Sequence, residues 1–176
     1  MVGAGGGEGV LGPPAAREAR EFERRCWRGP GGPQWAAVHP NGLCVIGVGP
    51  GHEGLGAAPV LEEGVGAGAG AGDADLEVRF VAGDGRGALE GVSGKRKRGA
   101  PKVARGDPAA WLRPGPGAPE APAAYGISGR LLELNGRLCG EPELLKEDPF
   151  SQGWLAIIGP VREPEILALR ARSVPL

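Results

Sequence analysis

The chain has 176 residues, with 20 lysines and arginines against 21 aspartates and glutamates, for a formal net charge of −1. Near-neutrality removes any global field that would draw the chain to nucleic acid or a membrane, so such binding needs a local cluster. Its 35 glycines and 18 prolines, with only 5% aromatics, sit at the threshold of low-complexity composition, which predicts an ordered core of only about 100 to 120 residues.

Residues 1–13 are Gly-rich and read as a disordered N-terminus preceding a single domain over 14–172. They lack a basic n-region and a sustained apolar run, and Met1-Val2 fails the myristoylation pattern; no stretch is long and apolar enough for a transmembrane helix. The expectation is a soluble intracellular protein. Pro14 to Arg28 reads as a helix, with Ala15, Ala19, Phe22 and Cys26 on one face and mixed charges on the other. Gly29 to Pro33 breaks it. Trp35 to Val38 and Leu43 to Val48 flank His39-Pro40-Asn41-Gly42, a short hairpin signal.

Residues 49–75 form a low-complexity insertion whose side chains offer nothing for a core. Leu76 to Val81 alternates apolar and polar residues and reads as a half-buried strand. Leu89 to Arg98 holds a Val-Ser-Gly-Lys strand and a basic run, and residues 113–122 form a Pro/Gly loop. Ile127 to Leu134 reads as a strand, Asn135-Gly136 as a turn, and Pro142 as the first position of a short helix closed by Asp148-Pro149. Trp154 to Ile158 is a second buried strand, ended by Gly159-Pro160. The unit is therefore a strand, a short helical crossover and a strand. Glu165 to Arg172 reads as a C-terminal helix with Ile166, Leu167 and Leu169 inward. Val92-Ser93-Gly94-Lys95 recurs as Ile127-Ser128-Gly129-Arg130, and two such halves suit a small pseudo-twofold sandwich.

Catalytic signatures are missing from the sequence. Gly49-Pro50-Gly51-His52-Glu53-Gly54 matches G-x-G-x-x-G, but no helical pattern follows it to face a pyrophosphate. Gly94-Lys95 lacks the upstream glycine of a phosphate loop. His39 and His52 have no ligand cluster at metal spacing, and His39 reads as a surface residue. No serine has a nucleophile-elbow context. Cys26, Cys44 and Cys139 form no C-x-x-C pair, so they read as buried thiols in a reducing compartment. Phe150 and Trp154 read as core.

The electrostatic feature is Lys95, Arg96, Lys97, Arg98, Lys102 and Arg105, six cations with no acid between them. Three readings compete: a solvated basic edge that discourages strand pairing, a nuclear localisation signal, and a contact for an acidic partner. The last two are compatible. No aromatic residue lies between Phe80 and Trp111 to stack on bases, which argues against direct nucleic-acid binding.

The pieces Ile127-Ser128-Gly129, Glu133-Leu134-Asn135, Pro142-Glu143-Leu144-Leu145, Glu147-Asp148-Pro149-Phe150 and Gly153-Trp154 resemble the C-terminal half of the glycine cleavage H protein. With Val92-Ser93-Gly94-Lys95 and Lys97-Arg98-Gly99-Ala100 included, the chain is similar to the Abitram (Simiate) family, of which residues 92–160 carry the specific part. That resemblance implies a mainly β barrel-sandwich hybrid with short terminal helices and Gly/Pro-rich loops. It implies a non-enzymatic protein that binds actin, as monomer or filament, influences its polymerisation and modulates transcription. The implied locations are the nucleus, including speckles, and the cytoplasm, including actin-rich cell edges or projections. Nuclear or transcription proteins are implied as further partners, and no membrane. Arg96 stands where relatives carry Phe, which extends the charge run. The position that carries the lipoyl lysine in H proteins falls on Ala118, so no lipoyl cofactor is expected. The rival reading is a degenerate H-protein-like carrier or scaffold lacking that lysine.

Overall fold

The computed structural model describes residues 22–56, 75–82, 86–89 and 99–176. Among the described residues, ten strands form two antiparallel sheets. The larger holds β1 (Glu23–Gly29), β2 (Gly32–Val38), β3 (Cys44–Val48), β5 (Lys102–Val103), β8 (Gly129–Leu134), β9 (Trp154–Ile158) and β10 (Val174–Pro175), in the order β10-β1-β2-β3-β9-β8-β5. The smaller is β4 (Glu77–Phe80), β6 (Pro108–Arg113) and β7 (Ala121–Ala124), in the order β4-β6-β7. Ala36, Val38, Ile46, Phe80, Leu112, Ile127, Leu131 and Ile158 join one buried cluster drawn from both sheets. Each large aliphatic side chain buried there contributes about 1.5–3 kcal/mol against exposure. The mainly β barrel-sandwich hybrid expected from the sequence is the architecture found.

Several local expectations need correction. Of the helix read over Pro14 to Arg28, residues 14–21 lie outside the described residues, and Glu23–Gly29 is strand β1. It pairs with β2 residue for residue, from Glu23 opposite Val38 to Gly29 opposite Gly32. Arg24 and Arg28 are exposed while Trp27 is buried. Strand pairing and the burial of one indole outweigh the helical spacing of smaller residues. The break read at Gly29 to Pro33 is the reversal between β1 and β2, where Gly31 adopts φ +76°.

The segment read as unable to build a core places His52 and Leu55 inside it, through a 3-10 turn over Glu53–Leu55. Residues 57–74 lie outside the described residues, as do the Val-Ser-Gly-Lys strand and with it the first half of the repeat. Asn135-Gly136, read as a turn, follows β8 and opens a 3-10 turn. Asn135 is buried, and its Nδ2 donates to the carbonyls of Gln152 and Trp154, each at 2.8 Å. This closes a longer connection containing a second 3-10 turn, Gly136–Cys139, and the one-turn helix α1 (Leu144–Glu147). Strands β8 and β9 are antiparallel neighbours, so the connection between them is no crossover. Helix α2 (Glu163–Arg172) buries Leu169 and half-buries Ile166, while Leu167 is 54% exposed. Position 167 points about 100° away from 166 around the helix and so misses the core.

Two buried polar side chains join the sheets. Gln34, on β2 and 1% exposed, donates from Nε2 to the Pro30 carbonyl at 2.8 Å. Its Oε1 accepts from the Ala124 N–H of β7 at 3.2 Å. His52 caps the first 3-10 turn, with Nδ1 accepting from the Gly54 N–H at 3.1 Å. That bond makes Nε2 the protonated nitrogen of the neutral ring, and Nε2 finds no well-aligned acceptor. Burial holds the His52 pKa below its ordinary value, with the carbonyls of Pro30 and Pro122 and the Glu53 charge opposing.

Gln34→Ala should cost about 1–3 kcal/mol, because the Ala124 N–H and the Pro30 carbonyl lose a buried partner; a fall in the urea unfolding midpoint checks it. The lowered His52 pKa gives a pH signature as well. The unfolded chain takes up a proton near its ordinary value of about 6.5, whereas the folded chain resists it. Stability should thus be full above about pH 6.5 and decline as pH falls below it toward the folded pKa. Urea midpoints at about pH 7.5 and 5.5 should differ more in the wild type than in His52→Gln.

Candidate functional site

Of the six cations singled out in the sequence, Lys95, Arg96, Lys97 and Arg98 lie outside the described residues; Lys102 and Arg105 are both exposed. Lys102 sits on β5, opposite Arg130 of β8, and Val103 sits opposite Gly129. Like charges directly opposite on neighbouring strands repel. The chain then delivers another cation to the same place. After β9, the Gly159 N–H donates to the Arg130 carbonyl at 2.9 Å, and the Val161 N–H donates to the Gly42 carbonyl at 2.8 Å. Arg162 follows and lines the same groove as Lys102 and Arg130.

This groove encloses about 410 Å³. Lys102, Arg130 and Arg162 supply its charge, and Val103, Gly129 and Pro160 supply apolar surface between them. Ser128 stands at one side. Its Oγ accepts from the Arg105 N–H at 3.1 Å, and its own N–H donates to Glu165 at 3.2 Å. Arg172 lies close enough to Arg105 for repulsion to help lower its pKa, after burial as the larger cause and against the pull of Glu165. Its guanidinium stacks 5.3 Å from the centre of the Trp27 ring and donates to the Gly126 carbonyl. A side chain on Gly126 would collide with that same indole.

Several cations elsewhere are paired with acids, whereas among the described residues Arg24, Arg28 and Arg172 are not. Arg79 pairs with Glu120, Arg113 with Glu77 and Glu120, Arg137 with Glu141, Lys146 with Glu143, and Arg170 with Glu23. Among the described residues, no carboxylate pairs with Lys102, Arg105, Arg130 or Arg162. Sequence reasoning found Lys102 and Arg105. It noticed Arg130 only as the end of a repeat and missed Arg162, whose place is set by strand order.

The other sequence features acquire structural roles. Gly49 to Gly54 leads into a single 3-10 turn, and Gly54 packs against Leu112. Among the described residues, no α-helix begins there to face a phosphate. His39 is half-buried against Phe22, with ring centroids 4.9 Å apart. Only Cys44 of the three cysteines is buried, and burial pushes its thiol up to about 12; Cys26 is half-buried and Cys139 exposed, which corrects the expectation for those two. Trp154 and Phe150 are half-buried rather than core, whereas Trp27 and Trp35 are buried. Ala118 lies in the connection between β6 and β7, where its N–H donates to the Gly115 carbonyl at 3.2 Å. The residues of that connection, 114–120, include no lysine. Among the described residues, no group of three or more His, Cys, Asp or Glu side chains is placed to hold a metal, and no helix is long and apolar enough to cross a membrane.

Comparison with known proteins gives a consistent direction. The glycine cleavage H-protein family matches residues 88–173. Protein Abitram of Xenopus tropicalis is 41% identical over 70 residues, covering 39% of this chain and 37% of that protein. Glycine cleavage system H protein 2 of Aquifex aeolicus (strain VF5) is 40% identical over 58 residues, covering 33% of this chain and 35% of that protein. The chain thus matches little more than a third of the length of these curated relatives. A crystal structure of a glycine cleavage system H protein from Mycobacterium marinum aligns with a TM-score of 0.49 at 18% identity, over 79% of this chain and 87% of that one. Residues 88–173 carry an H-protein-like domain.

Proposed function

We propose that this chain uses its H-protein-like scaffold as a non-enzymatic binding module, and that its basic edge binds actin, influences actin polymerisation and modulates transcription. The observation that carries the reading is the cluster of Lys102, Arg105, Arg130 and Arg162 without carboxylate partners among the described residues. A cation left unpaired on a folded surface is available to an acidic partner, and desolvated charge pairs supply specificity and association rate. Lys95 to Arg98 precede Lys102 in the sequence and add four cations to this stretch of the chain. We take actin as the acidic partner on the resemblance to the Abitram family, with nuclear or transcription proteins as further proposed partners. The same basic run fits a nuclear import signal, so the proposed locations are nucleus, with its speckles, and cytoplasm, with its actin-rich edges.

A second reading rests on the match of residues 88–173 to the H-protein family: a carrier-type module. A lipoyl carrier needs a lysine amine on an exposed hairpin tip, and residues 114–120 between β6 and β7 offer Ala118 instead. We therefore propose a protein without a lipoyl group, either the binding module above or a degenerate scaffold.

Two measurements separate these readings. In actin co-sedimentation, the wild type should pellet with filaments more at low salt than near about 0.15 M, because screening weakens exposed charge pairs. The variant with alanine at Lys95, Arg96, Lys97 and Arg98 should lose most of that pelleting. Filament and monomer binding both absent would remove actin and leave the scaffold. Intact mass after expression in a lipoylation-competent host should equal the sequence mass, and a gain of one lipoyl group would restore the carrier.

A further inference from the structure

We infer that the groove between β5, β8 and the segment after β9 is a docking site for an acidic, extended segment of a partner protein in which carboxylates flank an apolar residue. This deepens the binding-module reading and rests on it only in treating this edge as an interface. Three features of the groove select that ligand.

Charge comes first. Lys102, Arg130 and Arg162 border the groove, and no described carboxylate pairs with any of them. The three arrive from separate parts of the chain, and two of them, Lys102 and Arg130, stand opposite each other against their mutual repulsion. An anion between them turns that repulsion into attraction. The second feature is the apolar surface of Val103 and Pro160 between the cations. A bare anion leaves it wet, whereas a peptide covers it with an aliphatic side chain.

The third feature removes the competing ligands. A phosphate site is normally built from converging backbone N–H groups. Here three donors at the groove and beside it are engaged: the Ala104 N–H by Asp107, the Arg105 N–H by Ser128 Oγ, and the Ser128 N–H by Glu165. Single-stranded nucleic acid needs aromatic faces for stacking. No aromatic residue lines the groove, and the nearby Trp27 is buried beneath Arg172 and Gly126. What remains available is a set of side-chain cations around an apolar strip, which suits carboxylates on an extended chain.

The test uses the full chain and a fluorescein-labelled peptide of alternating Glu-Glu-Leu triplets, read by fluorescence anisotropy. Its serine analogue, with every Leu replaced, and inorganic polyphosphate serve as comparisons. Wild type should bind the Leu peptide more tightly than the Ser analogue, with affinity falling between about 50 mM and 150 mM salt. The double change Arg130→Glu with Arg162→Glu should weaken binding by about tenfold or more. The charge-matched change Arg137→Glu with Lys146→Glu, at residues already paired elsewhere, should alter it less than about twofold. Arg130→Ala with Arg162→Ala should show an intermediate loss, which guards against an effect of the new acids on folding.

No binding by the wild type, equal loss in the two charge-reversed variants, or equal affinity for the Ser analogue overturns the inference. Displacement of the Leu peptide by polyphosphate at a lower concentration than by unlabelled Leu peptide also overturns it, in favour of a simple anion site. Actin is scored separately. Peptide binding that depends on Arg130 and Arg162 sustains the groove even where actin fails to bind, and actin binding by a chain that ignores the peptide overturns the groove while leaving the actin reading in place.

Discussion

Strand β7 ends the smaller sheet with backbone groups that no further strand covers, and the Gln34 side chain stands in for that missing strand at Ala124. The same amide reaches back to the Pro30 carbonyl, so the β1–β2 turn is pressed against the outer edge of β7. Contacts around Gly31 extend the seam, because a side chain there would strike both the His52 ring and the Pro122 carbonyl. A hydrophobic core alone lets two sheets slide over one another with little loss of buried area. A buried amide with two fixed partners does not, since every other register leaves polar groups unpaired in a dry interior. The two sheets therefore owe their relative position to Gln34 and His52 more than to the aliphatic residues around them.

The basic edge obeys a different logic. Elsewhere Arg79, Arg113, Arg137 and Arg170 pair with nearby acids, in pairs worth little individually but free of repulsion. At β5 and β8 it places Lys102 against Arg130, and farther along it brings Arg105 near Arg172. Such an arrangement is mildly unfavourable in the free protein. It persists because the strand pairing and the apolar contacts beneath are fixed by other forces, and local conflict of this kind collects at sites that meet a ligand. Anything anionic that binds there stabilises the folded state by mass action.

Much of this fold was legible in the sequence wherever a pattern was local. Leu76, Val78 and Phe80 alternate with Glu77 and Arg79, and β4 has that burial. His39-Pro40-Asn41-Gly42 joins β2 to β3 as its turn residues require, with the His39 N–H bonded to the Leu43 carbonyl at 2.8 Å. The reading failed where the outcome depends on a distant partner. Residues 23–29 have helical spacing and strand geometry because β2 is available to pair with them. His52 lies in a glycine-rich stretch whose composition promises nothing, and its burial needs Pro30 and Pro122. Arg162 is one cation beside an acid in the sequence, and only the strand order β9-β8-β5 sets it near Lys102. Local periodicity thus revealed the strands, while the groove is a property of how they are ordered.

Strand β1 has β10 as its outer neighbour, with Cys26 opposite Val174, and the Leu176 N–H closes on the Arg24 carbonyl. In the middle of the same sheet, β3 pairs with β9, Cys44 opposite Ile158. The β1–β2–β3 ribbon that begins the sheet must therefore wait for segments more than a hundred positions later before either of its edges is covered. During synthesis at about 5–20 residues per second, that wait lasts about 5 to 25 seconds. For this interval the β1–β2–β3 ribbon has two bare edges, the condition in which nascent β chains meet chaperones or one another. The order in which the strands are made thus differs from the order in which they are stored, and the time between the two is the protein's period of greatest exposure.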